Sequence, residues 1–166
     1  LEQLLRFEVD LAVLSQTEEN PRIISVPFCH EPLVVFVHKD HIFSSRESVR
    51  IKELEGERVI LREPGSTTRR AFEKALSCSG VRIRPIMEIG SREGVWMSVA
   101  RNLGIGVVSE FEFVHHPDLR KLRFEDVDIH TDAYVVCLRE RRQSRMIRSF
   151  LDVVEKIKSE GRFGTS

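Results

Sequence analysis

Val59-Ile60-Leu61-Arg62-Glu63-Pro64-Gly65-Ser66-Thr67-Thr68-Arg69-Arg70-Ala71-Phe72 runs from a short apolar strand through a Pro-Gly turn into a helix whose first turn is rich in hydroxyls. Beyond it, Ala71, Phe72, Ala75 and Leu76 recur at helical spacing and Gly80 marks the stop. The first backbone N–H groups of a helix lack intrahelical partners and lie at the positive end of its dipole, so they attract carboxylate, phosphate or sulfate. Ser66, Thr67 and Thr68 add hydroxyls to that end. A hydroxyl before a helix is ordinarily an N-cap serving its own backbone. On this segment alone the cap and the anion site both stand.

The same alternation extends outward in both directions and predicts an α/β fold. Toward the start, strands are expected at Val9 to Leu14, Arg22 to Phe28 and Leu33 to His38, the last two separated by Cys29-His30-Glu31-Pro32. The continuous run Leu11-Ala12-Val13-Leu14 suggests a central parallel strand buried on both faces. A helical turn spans Ile51 to Leu54. Toward the end, Arg84 to Ile89 is a strand, and Ser91 opens a helix with an apolar stripe of Val95, Trp96, Val99, Ala100 and Leu103, capped by Gly104. Strands follow at Ile105 to Val108, Leu122 to Phe124 and Ala133 to Leu138. A final helix from Ser144 to Ile157 presents Met146, Ile147, Phe150, Leu151, Val154 and Ile157 to a core. From Glu160 onward the chain reads as a frayed tail.

Composition narrows the function classes. The chain has 166 residues, 41% apolar and 31% charged, which fits a globular protein of one domain or two small lobes. Its 26 basic and 26 acidic residues leave a formal net charge of zero, so no global basic field holds nucleic acid. No apolar run is long enough to span a membrane. Cys29, Cys78 and Cys137 are odd in number and widely spaced, as free thiols in a reducing, cytoplasmic compartment would be. The start at Leu1-Glu2-Gln3-Leu4-Leu5 has no export pattern and reads as a chain entered partway through.

In open α/β sheets ligands bind beyond the carboxyl ends of strands. Four such ends carry hydroxyls here: Ser15, the Ser66-Thr67-Thr68 cluster, Ser91 and Ser109. Two of them also open helices, which would make an anion clamp if both faced one cleft. Arg62, Arg69 and Arg92 lie beside those starts and can add charge-assisted bonds. No catalytic or metal constellation emerges. His115 and His116 are adjacent and lack a completing zinc pattern, and His30, His38, His41 and His130 are scattered. The Gly-x-Ser-x-Gly elbow is missing. Gly104-Ile105-Gly106 precedes a strand instead of leading from one into a helix, so it is not a dinucleotide fingerprint. No cofactor is expected. An enzyme would have to draw on Glu63, Asp40 or His41.

The order of these blocks resembles the effector-binding domain of LysR-type transcriptional regulators. The resemblance rests on Val9-Asp10-Leu11-Ala12-Val13, Ile24-Ser25-Val26-Pro27-Phe28, Glu31-Pro32-Leu33-Val34-Val35-Phe36-Val37 and Lys39-Asp40-His41. It continues through Val59 to Thr68, Ile89-Gly90-Ser91-Arg92-Glu93 and Leu103-Gly104-Ile105-Gly106-Val107-Val108-Ser109, covering about Leu4 to Ile157.

The resemblance implies a two-lobe, periplasmic-binding-protein-like (type II) fold with two crossover strands, near Leu33 to Val37 and Ala133 to Leu138. A partial first lobe would hold residues 1–35, the second lobe 36–132, the return strand and last helix 133–158, and the tail 159–166. A small anionic effector would sit between lobes, touching Ser15, Ser66, Thr67, Thr68 and Ser91, with Arg69, Arg92 and Ser109 nearby. Binding would shift the lobes allosterically and act, through a homodimer or higher oligomer, on an upstream winged helix outside this sequence. The family's opening strand, helix and second strand also fall outside it, which predicts poor or lost ligand affinity and apolar exposure near Val9 to Leu14. Arg-Glu-Pro-Gly-Ser-Thr-Thr-Arg with Gly-Ser-Arg-Glu looks similar to regulators linked to aminoethylphosphonate use. A transporter's solute-binding protein shares the fold and is the alternative, and a plain dimerisation module is a further one.

Overall fold

Leu33-Val34-Val35-Phe36-Val37 is buried along its whole length, as an uninterrupted apolar run requires of a strand covered on both faces. It lies within β2 (Ile23–His38) of a computed structural model that describes residues 1–16 and 19–160. The chain divides into two compact units, Pro32–Thr131 and Leu1–Glu31 with Asp132–Ser166, and it passes between them within β2 and within β8 (His130–Leu138). The expected lobe boundaries were after residues 35 and 132.

β2 replaces the two strands expected at 22–28 and 33–38. Pro32 does not break it, because proline's fixed φ is compatible with extended backbone and biases its neighbour toward the same region. The ladder loses only one N–H donor, and Leu33 N–H donates to the Ile129 carbonyl at 2.7 Å.

In the unit Pro32–Thr131, β2 pairs antiparallel with β6 (Ile105–Ser109) on one side and β7 (Leu119–Phe124) on the other. β4 (Arg58–Arg62) lies parallel between β6 and β5 (Arg84–Ile89), and the short β3 (Ser48–Val49) runs parallel to β7. Side chains alternate across the sheet with period two. Leu33, Val35 and Val37 pack with Phe72 and Leu76 of α2 (Thr67–Ser79), while Val34 and Phe36 pack with Val95 and Val99 of α3 (Arg92–Ala100). The two helices therefore cover opposite faces of one sheet, and both start at its strand ends. α2 stops at Gly80 in the left-handed conformation, as its sequence predicts.

α3 ends sooner than expected, with Asn102 taking the left-handed turn at φ 58°. Gly104 is therefore not its cap. A Cβ there would stand 2.3 Å from the Arg58 carbonyl oxygen, so the glycine serves the close approach of two backbones.

The other unit holds α1 (Glu2–Leu5), β1 (Leu11–Leu14), the opening of β2, the end of β8 and α4 (Arg145–Ser159). β1 is not a central parallel strand. It pairs antiparallel with β8, Leu11 opposite Cys137 and Leu14 opposite Tyr134. Ala12 and Leu14 lean on Leu4, Ile23, Val136 and Leu138, whereas Val13 points the other way and is 58% exposed. Half-burial by alternation, not two-sided burial, explains the run. On α4, Ile147 and Val154 are buried, but Met146 and Phe150 from the expected core face are exposed. Residues 161–166 of the expected tail lie outside those described.

Candidate functional site

The β4–α2 turn is set by Gly65 at φ 95°, which aims the chain into the helix, and by the Ser66 N–H donating to the Glu63 carbonyl at 3.2 Å. Ser66 is the N-cap of α2 and its hydroxyl accepts from Arg69 N–H at 3.5 Å, a long bond. Ser91 caps α3 in the same way, accepting from Gly94 N–H at 3.1 Å. Both serines thus do what capping predicts. Thr67 is exposed, and Thr68 is 8% exposed, with a hydroxyl that makes no hydrogen bond to another described residue.

Thr68 and Arg92 meet at a small cavity of about 10 Å³, the room of a single water. Phe36, Arg62, Trp96 and Glu112 complete its walls, over a floor of Val95, Val107 and Val108. The Arg62 guanidinium is held by Glu63 through two parallel bonds of 2.8 and 2.9 Å. That bond holds the Glu63 carboxyl below its usual range, so the residue stays ionised and bound and is poorly placed to move a proton. Arg92 reaches Glu112 at 2.7 Å.

The remaining expected site residues are dispersed. Arg69 is committed to Glu73 at 2.7 Å, to Glu88 and to the Arg62 carbonyl at 2.9 Å, so it braces the turn. Ser109 is buried where β6 ends opposite Leu33, and Ser15 stands half-buried after β1 in the other unit. Trp96 and Glu112 were not expected. Trp96 looked like core from its helical spacing, and nothing local links Glu112 to Arg92.

Several histidines find carboxylates: His30 lies 2.8 Å from Asp132, His41 3.4 Å from Glu57 and His38 3.5 Å from Asp40. Burial, aided by Glu31 and Asp132, pushes the Cys29 thiol up to about 11, which keeps it a thiol and a poor nucleophile.

A family model described as LysR substrate binding domain matches residues 1–157. The chain belongs to the LysR substrate-binding domain family. Among its relatives, the RuBisCO operon transcriptional regulator of Acidithiobacillus ferrooxidans is 34% identical over all of this chain and 55% of its own length. The HTH-type transcriptional activator CmpR of Synechocystis sp. is 30% identical over 92% of this chain and 51% of its own. This LysR-family chain therefore spans about half the length of the curated relatives it matches. Among solved structures, the Synechocystis CcmR regulatory domain in complex with 2-PG superposes with a TM-score of 0.79 at 28% identity, over 94% of this chain and 76% of that one. The BenM effector binding domain with benzoate gives 0.84 at 21% identity, over 99% and 76%, which shows the shared fold alone. That fold is the periplasmic-binding-protein-like type II class expected from the sequence. Among the described residues no helix is long and apolar enough to cross a membrane.

Proposed function

We infer that this chain senses a small anionic effector for a LysR-type transcriptional regulator, and that it catalyses no reaction. The observation that carries this is that Arg62, Arg92 and the buried residue Thr68 line one cavity beside the starts of two helices. Guanidiniums and helix starts favour carboxylate and phosphoryl oxygens. A phosphorylated or phosphonate acid suits the pair better than a lone carboxylate, because its third oxygen and second charge let it bond both guanidiniums and a hydroxyl at once. The CcmR regulatory domain was solved in complex with 2-PG, which supports a small-molecule effector, and aminoethylphosphonate in particular has no such support. Ser66, Thr67 and Ser91 shape the two helix starts, Arg69 braces the first, and Ser109 closes the strand beside them. DNA contact belongs to a winged helix elsewhere in the regulator, and oligomer contacts transmit the effector's differential affinity for two states.

Calorimetric titration with phosphorylated, phosphonate and carboxylate acids of similar size tests the reading. The expected outcome is saturable binding of at least one phosphorylated acid, weakened about tenfold or more by Arg92→Gln, since a lost charge-assisted bond is worth roughly 1.5–3 kcal/mol. Equal binding by the variant would remove Arg92 from the site and the reading with it.

A further inference from the structure

The cavity lined by Arg62, Thr68 and Arg92 has a carboxylate among its own walls. Glu112 sits in a single turn of 3-10 helix, Glu110–Glu112, directly after β6, and its carboxylate lies 2.7 Å from the Arg92 guanidinium. The space beside that pair is small, about 10 Å³, the room of a single water. The pair is not locked away: the Arg92 side chain is 51% exposed and that of Glu112 23%. An arriving anion can therefore reach the Arg92 guanidinium from its solvent side. Glu110 faces elsewhere, holding Lys121 at 2.6 Å and lying 3.8 Å from Arg123. That contact anchors the turn independently of Glu112. Thr68, a buried residue whose side chain makes no hydrogen bond to another described residue, lines the same space.

We propose that Glu112 is a built-in counter-anion: it occupies Arg92 when the pocket is empty, and the phosphoryl group of an effector binds by displacing it. The proposal rests on the anion-site reading above and adds to it a gate that sets affinity and charge preference. Glu112 acts through Arg92 and is not itself a ligand contact. Its negative charge both competes for the guanidinium and repels the arriving anion, so only a ligand whose charge outweighs one carboxylate enters.

Trp96, the chain's single tryptophan, lines the pocket and reports its occupancy by fluorescence. The test is a titration of the full chain with inorganic phosphate at constant ionic strength, comparing the parent with Glu112→Gln, Glu110→Gln and Arg92→Gln. Glu112→Gln keeps the shape and removes the competing charge, and it tightens phosphate by about twofold to fivefold, the equivalent of one weak ion pair. Glu110→Gln, which removes the same charge from the same turn but not from the pocket, leaves the affinity unchanged. Unaltered or weaker phosphate binding by Glu112→Gln overturns the gate, as does equal tightening by Glu110→Gln, which would mark a general charge effect. If Arg92→Gln abolishes the response while Glu112→Gln matches the parent, the gate fails and the anion site survives. If no variant and not the parent responds to phosphate, both fail.

Discussion

At the scale of single residues, the chemistry of this chain is set by which charges already have partners. Arg62, Arg69 and Arg92 look equivalent in sequence, yet Arg69 is tied to two carboxylates and a carbonyl, Arg62 to the adjacent carboxylate of Glu63, and Arg92 to that of Glu112. Thiol reactivity follows the same logic. Cys78 is exposed, Cys137 is buried with its thiol pushed up by burial, and Cys29 is pushed up to about 11. Alkylation near pH 8 followed by peptide mass spectrometry should label Cys78 well before the other two, and equal rates would show that the strand thiols are not shielded. Glu53, Glu63, Asp118 and Glu125 are all held below the usual carboxylate range, chiefly by hydrogen bonds. Depressed folded-state values mean that their stabilisation is complete above the unfolded carboxylate range and is lost as pH falls through the folded values. Urea midpoints should therefore be flat above about pH 6 and drop below about pH 4; a midpoint that rises on acidification would contradict these pairings.

At the scale of elements, strand-turn-helix units were legible and pairing direction was not. The β4–α2 unit follows from an apolar run, a Pro-Gly turn and a 3.6-residue stripe that all agree locally. β1 pairs antiparallel at an edge, and a four-residue apolar run reads the same whether it is buried on two faces or alternates against one. Pro32 misled because its missing donor matters only where the ladder needs it. Gly104 has its reason in the Arg58 carbonyl, far away in sequence. Gly104→Ala should cost about 1–3 kcal/mol by forcing two backbones apart, read as a lower urea midpoint at constant slope. A neutral result would mean the two segments separate freely. Ser91→Ala removes a well-formed cap and should cost about 1 kcal/mol, more than Ser66→Ala, whose capping bond is long.

At the scale of the molecule, the two units differ in how much apolar surface they bury. The unit Pro32–Thr131 has two cores on either side of one mixed sheet, whereas the other has a small cluster around Leu4, Ile23, Val136 and Leu138. Native-state hydrogen exchange should show its slowest amides in residues 33–37 and 105–108, with α1 and α4 opening at lower free energy. Uniform protection would contradict that ordering. The fold class was legible because alternation of strand and helix runs the length of the chain. The pocket was legible only in its helix starts: Thr68 and Arg92 were named for their positions, but Glu112 joins them through the return of β6 beside β2, which no local spacing encodes.

The central claim is that an anion binds where Thr68, Arg92 and Trp96 meet. Amide and indole chemical shifts of the full chain, followed as a phosphorylated acid is added, test it most directly. The account predicts that the largest saturable changes fall on Thr68, Arg92 and the Trp96 indole N–H. Changes confined to the exposed His115, His116 and Arg120, with the pocket residues unmoved, would contradict it.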